Sequence, residues 1–377
     1  MPALSRMPRP TFDALARGGG GPAAVRLLVG ARRSRTLQLI RHVADRSVAA
    51  RRALEVVKTL PAAAVHRVVD HPAVGEWATR AAIGRGSPAG LAFVAAAAAV
   101  RAGASVTVDL PRSRSAALPT LGPLEGDPHG RVAVDGLTWR PTPEVVVPDG
   151  PTFALEHWPD GGPPTRLPLT AEFDVGRWRD TITAAWSVLS RSHGEVAAEL
   201  ATAITVLTPL ATPREGVNSA THADAFGCVF LSLPHDPESA ALTLAHELQH
   251  TKLVALMDLF PLVRNDSGQR FYAPWRTDPR PAIGLLHGAY AHLGVAGFCL
   301  RAGRETEFAR WRRAALSVSK TLLTGSALTD TGRDFVQRMA TTLEQWCAIE
   351  VSPSAQHEAD HLAETHHARW RAANPEE

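Results

Sequence analysis

The stretch LTLAHELQHTK, residues 242–252, contains two histidines, His246 and His250, four positions apart. In an α-helix residues four apart lie on the same face, so both imidazoles can bind one metal ion. The residues just before the stretch favour a helix, because Asp236 can cap it and Pro237 suits its first turn. We therefore predict a helix from about residue 237 that carries a pair of metal ligands.

Glu247 lies between the two histidines and completes the pattern HExxH, which is typical of zinc peptidases. In such enzymes the glutamate activates a metal-bound water. It can also act by orienting a neighbouring group through hydrogen bonds. Because residue i+1 of a helix faces away from residue i, we do not expect Glu247 itself to bind the metal.

Two histidines do not hold a metal alone, so a third protein ligand is needed. The zinc peptidase pattern HExxHxxGxxH is excluded, since Leu253 and Leu256 occupy its glycine and histidine positions. A downstream glutamate ligand is also missing, because residues 251–304 contain no glutamate. These absences weaken the peptidase interpretation without removing it.

A second helix is predicted from about Pro281, and it contains His287 and His292. We favour His287 as the third ligand, because Leu286, Tyr290 and Gly294 indicate that it lies on a packed side of the helix. His292 follows five residues later on another face, and we expect it to be structural or solvated.

The periodicity of the rest of the chain predicts a mainly helical α+β fold with a helical N-terminal layer, a small mixed sheet and a helical catalytic half. Strands are predicted within residues 105–110, 131–139, 143–148 and 225–233. The predicted regions are a flexible, arginine- and proline-rich lead-in at 1–22, a helical region at 23–103, a mixed α/β region at 104–210 and the HExxH region at 211–377.

Composition narrows the class of protein. Hydrophobic residues make up 45% and charged residues 20%, which is typical of a globular chain. The net charge of +3 comes without a dense basic run, so we expect no nucleic-acid partner. The longest apolar run, residues 91–100, is too short for a membrane span. Three widely spaced cysteines argue against a disulfide framework and favour a cytoplasmic location.

Four stretches together carry a family resemblance: residues 226–250, 272–292, 71–77 and 92–103. The combination of FGCVFLSLPHDPESAALTLAHELQH with YAPWRTDPRPAIGLLHGAYAH resembles the HEXXH-motif peptide-modification proteins of ribosomal peptide gene clusters. HPAVGEW and AFVAAAAAVRAG extend that resemblance over most of the chain. Members of that group look like 2-oxoglutarate-dependent iron oxygenases that β-hydroxylate side chains of a precursor peptide.

The resemblance implies Fe(II), 2-oxoglutarate as cosubstrate and a precursor peptide as partner. Fe(II) would be held by His246, His250 and His287, with Glu247 in a catalytic or orienting role. A guanidinium would bind the distal carboxylate of 2-oxoglutarate, and Arg276 and Arg280 are the candidates in the loop before His287. Tyr272, Trp275 and Tyr290 are the expected pocket residues.

Two other functions remain open. The first is a zinc-dependent peptidase, with zinc in place of iron. The second is a peptide-binding protein without catalytic activity. The strand within residues 225–233 could pair with an extended peptide if it lies at a sheet edge, or it could be a central strand. The sequence does not indicate an oligomeric state.

Overall fold

The computed structural model describes residues 7–113, 115–156, 158, 167–170, 172–214 and 216–375. Within them it contains thirteen α-helices and a small mixed sheet, which confirms the predicted α+β, mainly helical fold. The chain forms two compact units. The helical unit comprises Met1–Leu28, Ala185–Thr202 and Pro237–Glu377, and the sheet unit comprises Val29–Ala184 and Ala203–Asp236.

The helical unit contains both helices that carry the candidate metal ligands and most of the long helices. Its elements are α1 (Arg9–Ala16), the start of α2 (Gly21–Asp45), the end of α7 (Val175–Ser192), most of α8 (Gly194–Ala203), α9 (Pro237–Leu259), α10 (Ala282–Arg301), α11 (Glu305–Thr324), α12 (Asp330–Cys347) and α13 (Pro353–Ala373). The start of α9 at Pro237 agrees with the predicted helix start. Asp236 precedes it, as expected for the capping position.

The sheet unit begins with helices and continues into the strands. Its helices after α2 are α3 (Val48–Thr59), α4 (Ala62–Val69), α5 (Pro72–Ala82) and α6 (Leu91–Ala102). Its strands are β1 (Thr107–Leu110), β2 (Ala117–Leu118), β3 (Gly122–Pro123), β4 (Gly130–Ala133), β5 (Glu144–Val146), β6 (Thr152–Leu155), β7 (Val206–Pro209), β8 (Ser219–Ala220) and β9 (Cys228–Leu231). The alanine-rich α6 is almost entirely buried and ends at Gly103 in the left-handed conformation, φ 62°.

Strand β9 is an interior strand. The five-stranded sheet has the order β5-β6-β7-β9-β8, in which β7 pairs with β9 in parallel and β8 with β9 in antiparallel fashion. Phe230 and Leu231 are therefore paired on both sides. The structure therefore supports a central strand and not an edge strand. An extended peptide cannot pair with the backbone of Phe230 or Leu231, because both sides are already occupied.

The N-terminal residues differ from the predicted flexible lead-in. Residues 9–16 form α1, whose Phe12 is 5% exposed. The Phe12 ring packs edge-on against Phe260 and Phe335 at centroid distances of 5.6 and 5.8 Å. The arginines and prolines suggested a solvated segment, but Phe12 and Leu15 supply enough apolar surface to hold the helix in the core. The compact units also do not follow the boundaries expected at residues 22, 103 and 210.

Helices α9 and α10 pack closely and run in opposite directions. Gly294 of α10 faces Gln249 of α9, and a Cβ at Gly294 would lie 2.5 Å from the Gln249 side chain. A larger residue at position 294 would therefore push the helices apart. By length and composition α10 could cross a membrane, but 72% of its apolar window is buried inside the protein, as in a core helix.

A buried ion pair ties α9 to α8. The ammonium of Lys252 lies 2.7 Å from Glu199 Oε2, and both side chains are 1% exposed. Lys252 also donates to the carbonyl of Gly18, and Glu199 accepts from the amide of Gly21. Both charges are thus hydrogen-bonded, which is the condition for burying them. The network fixes the turn between α1 and α2 beside the C-terminal half of α9.

We predict that replacing Phe12 with alanine lowers the free energy of unfolding by about 3–4 kcal/mol, because the change leaves a cavity against two aromatic rings. The measurement is denaturant unfolding followed by circular dichroism. The control is Leu27→Ala, since Leu27 is 44% exposed and its truncation should change the free energy by less than about 1 kcal/mol. Equal effects of the two substitutions would mean that α1 is not part of the core.

Candidate metal centre

His246 and His250 lie together on one face of α9. Their Nε2 atoms are 3.1 Å apart, and their rings are nearly perpendicular, at 74°. Two nitrogens that bind one ion at about 2.1 Å each lie about 3.0–3.4 Å apart. The observed separation therefore suits two ligands of a single metal ion without a change of backbone.

Glu247 comes closer to the pair than its position in the helix suggested. Its Oε1 lies 3.9 Å from Nε2 of His246, and one donor atom from each of Glu247, His246 and His250 lies within 4.8 Å of the others. The side chain of Glu247 is 2% exposed. A bent glutamate side chain can thus bring its carboxylate back toward the metal face, where it can bind the ion or a ligand of the ion.

Helix α10 places two further histidines against the pair. The ring of His287 lies 5.6 Å from that of His250, with an interplanar angle of 29°. The ring of His292 lies 5.4 Å from that of His246, at 85°. Because the two helices run in opposite directions, His287, the first histidine of α10, contacts His250, the second histidine of α9. The structure thus brings four imidazole rings into contact, and among the described residues the donor atoms of His246, Glu247 and His250 form the group within 4.8 Å of one another, which does not include the predicted third ligand His287.

His292 is buried and held in place, in agreement with the structural one of its two expected roles, and it also contacts His246. It is 7% exposed, and its Nδ1 donates to the carbonyl of Gly288 at 2.8 Å. Since a carbonyl only accepts, Nδ1 carries the proton in the neutral ring and Nε2 keeps its lone pair. Histidines that bind metals commonly have their other ring nitrogen fixed in this way. Helical spacing alone did not reveal that two histidines about 140° apart around α10 can contact the two histidines of the same α9 pair.

His292 is held between two indole rings. Trp275 stacks on it at 4.6 Å and 15°, and Trp311 of α11 lies at 4.4 Å on a tilted plane. Trp275 reaches this position because residue 288 is glycine, where a Cβ would lie 2.2 Å from the indole. Trp275, which we predicted to line a pocket, and Trp311, which no sequence pattern indicated, therefore both pack against His292.

Burial keeps the four histidines neutral. It lowers the pKa of His246 and of His287 to about 4 and that of His292 to about 3. Burial, together with the neighbouring histidines, also holds the pKa of His250 well below its usual value. Neutral imidazoles have the lone pairs that a metal requires, so protons do not compete with an ion at neutral pH.

The two arginines expected to bind a cosubstrate are both engaged by one carboxylate. Nε of Arg276 lies 2.8 Å from Asp278 Oδ1, and Nη1 of Arg280 lies 3.0 Å from Asp278 Oδ2. The Arg276 side chain is 52% exposed. The backbone of Arg280 pairs with Phe271, which closes the loop before α10. These contacts within the protein hold the loop in its conformation, so no bound ligand is needed to explain it.

The two tyrosines expected in the pocket have other contacts. The hydroxyl of Tyr290 donates to the backbone carbonyl of Leu15 at 2.6 Å, and its ring packs against Phe335 in the core. The hydroxyl of Tyr272 lies 2.9 Å from Nδ1 of His366, and its ring packs against Trp370 of α13. Tyr290 thus holds α1 against α10, and Tyr272 holds the loop against α13.

Comparison with known proteins adds no family assignment. No family model matches the chain, and no curated protein matches it either. The interpretation of the site therefore depends on its geometry and on the residues themselves.

We predict that His250→Ala weakens metal binding by more than about 100-fold, because it removes one of two imidazoles placed for the same ion. The measurement is titration of metal-free protein with Co(II), followed by visible absorption. The control is His361→Ala, since His361 lies exposed on α13. Parallel titrations of His287→Ala and His292→Ala show which imidazole of α10 completes the site. Full binding by His250→Ala would contradict the assignment of the centre.

The buried histidines also predict a loss of stability in acid. The pKa of His292 is lower in the folded chain (about 3) than its ordinary value of 6.5, so the unfolded chain binds the proton more tightly. The stability from the neutral ring is complete above pH 6.5 and falls as the pH falls toward 3. Between pH 7 and pH 5 the metal-free protein should lose about 2 kcal/mol per such histidine.

His292→Phe tests this prediction, because phenylalanine keeps a ring between the two indoles but cannot be protonated. The free energy of unfolding of the variant should decrease less between pH 7 and pH 5, by about 2 kcal/mol, than that of the unmodified protein. Identical decreases would show that His292 does not titrate in this range on unfolding.

Proposed function

We propose that this protein is an Fe(II)- and 2-oxoglutarate-dependent oxygenase that β-hydroxylates a side chain of a ribosomally synthesised precursor peptide. The observation that carries the proposal is the donor set. Donor atoms of His246, Glu247 and His250 lie within 4.8 Å of one another, and the rings of His287 and His292 from α10 contact those of His250 and His246. The resemblance of the motif regions to the HEXXH-motif peptide-modification proteins supports the same function.

The donor set fits non-haem iron. Imidazole is a good ligand for Fe(II), and three protein ligands on one side leave positions for a bidentate keto acid and for O₂. When bound, the iron would supply oxidation of an unactivated C–H bond, coupled to decarboxylation of 2-oxoglutarate to succinate. His246 and His250 would hold it, together with His287 or His292 from α10.

The surrounding residues position the ligands. The carbonyl of Gly288 fixes the proton of His292 on Nδ1, and the two indoles fix the plane of that ring. The buried carboxylate of Glu247 can orient a ligand of the ion or the substrate amide by hydrogen bonding. The two indoles also shield His292 from water, since that residue is 7% exposed.

A zinc peptidase is the second candidate, and the position of Glu247 favours it specifically. A carboxylate 3.9 Å from a ligating imidazole nitrogen is close enough to accept a proton from a water at the same centre. In that function Zn²⁺ would replace iron and Glu247 would be the general base. In the oxygenase Glu247 has no proton to remove.

The experiment combines the protein anaerobically with Fe(II), 2-oxoglutarate and the precursor peptide encoded beside its gene, and then admits O₂. We expect the peptide to gain the mass of one oxygen atom and succinate to form in equal amount. His250→Ala should abolish both, whereas His361→Ala should leave both unchanged. A shortened peptide in the absence of 2-oxoglutarate would support the peptidase, and an unchanged peptide would support a non-enzymatic binding protein.

Glu247→Gln separates the two enzymes. Glutamine keeps the shape and the hydrogen-bonding oxygen but loses the base, so a peptidase should lose activity by about 100-fold or more. The oxygenase should keep activity within about 10-fold, because its reaction needs no general base at this position. The measurement is the turnover rate of the unmodified protein and of Glu247→Gln, whose ratio gives the loss of activity.

A further inference from the structure

The proposed oxygenase needs a cation for the distal carboxylate of its cosubstrate, and the loop arginines are poorly placed for it. Arg276 and Arg280 share the carboxylate of Asp278. A ligand that bound either of them would have to compete with an ion pair already formed. The side chain of Arg276 is also largely exposed, where an ion pair with a ligand is weak.

Arg310 of α11 has a different environment. Its guanidinium carbon lies 4.3 Å from the ring centroid of Trp311, and the residue is half-buried. In the part of the chain that the structure describes it forms neither a hydrogen bond nor an ion pair. The nearby carboxylate of Glu307 is bound by Arg304, with Nε at 3.1 Å. Glu307 therefore acts on Arg310 through its charge and not through a hydrogen bond, and no acceptor among the described residues takes the N–H groups of Arg310.

A chain of ring contacts connects Arg310 to the candidate centre. Its guanidinium lies over Trp311, whose ring is 4.4 Å from His292, and His292 is 5.4 Å from His246. Trp311 and His292 thus link Arg310 to the candidate centre through direct contacts.

We propose that Arg310 binds a carboxylate of a small dicarboxylic acid beside the histidine cluster, and that Arg276 and Arg280 do not. The identity of that acid as 2-oxoglutarate rests on the proposed function. A guanidinium matches a carboxylate with two parallel hydrogen bonds, and a partly desolvated site strengthens them. The Trp311 ring packs against one face of the guanidinium and fixes its plane, so the N–H groups at the edge of the guanidinium can bind the ligand.

The test is anaerobic isothermal titration of the Mn(II)-loaded protein with 2-oxoglutarate, so that binding is measured without turnover. Arg310→Gln should weaken binding by about 10- to 100-fold, because it removes charge-assisted hydrogen bonds. Arg310→Lys should retain part of the affinity, since it keeps the charge but not the fork. The control is Arg313→Gln on the same helix, because Arg313 is 53% exposed and already pairs with Asp360. Mn(II) stoichiometry and melting temperature show that each variant is folded and loaded.

The outcomes distinguish this inference from the proposed function. Unchanged binding by Arg310→Gln, with binding lost in Arg280→Gln, would overturn the inference and leave the oxygenase proposal intact. No binding of 2-oxoglutarate by the unmodified protein would overturn both. Binding that depends on Arg310, without oxygen transfer to the peptide, would support the inference and contradict the hydroxylase.

Discussion

The close approach of α9 and α10 is the constraint on which the candidate centre depends. Glycine at position 294 lets the Gln249 side chain lie against the backbone of α10, and glycine at position 288 does the same for Trp275. Two helices at this separation bring histidines from facing turns into contact. The histidine pair of α9 would otherwise have no partner from a second helix, and the pattern HExxH by itself supplies only two imidazoles and a carboxylate.

Burial of His292 and the positive charge of Arg310 both lower the pKa of that histidine. The apolar surroundings make protonated histidine unfavourable, and the positive charge of Arg310 adds to that effect at His292. The same surroundings disfavour a bare divalent ion, so an ion here would need the imidazole lone pairs and an accompanying anion to offset its charge. Neutral imidazoles with a cation at the periphery therefore suit a metal together with an acidic ligand better than a metal alone.

Local patterns in the sequence predicted most elements of the fold. Proline and aspartate before residue 238 and the apolar periodicity gave the correct start of α9, and β-branched runs predicted β1, β5 and β9. Helix α1 was missed, because its burial depends on Phe260 and Phe335, which are far away in the chain. At the site, HExxH predicted the α9 pair. The contacts of His292, Trp311 and Arg310 depend on the packing of α11, which a single sequence does not specify.

The aromatic clamp on His292 has a thermodynamic consequence. A histidine that coordinates an ion normally loses rotamer entropy in doing so. Here the two indoles and the Gly288 carbonyl have already immobilised the ring in the folded chain. That entropy is lost during folding, so any ligand that uses this ring encounters a preorganised donor.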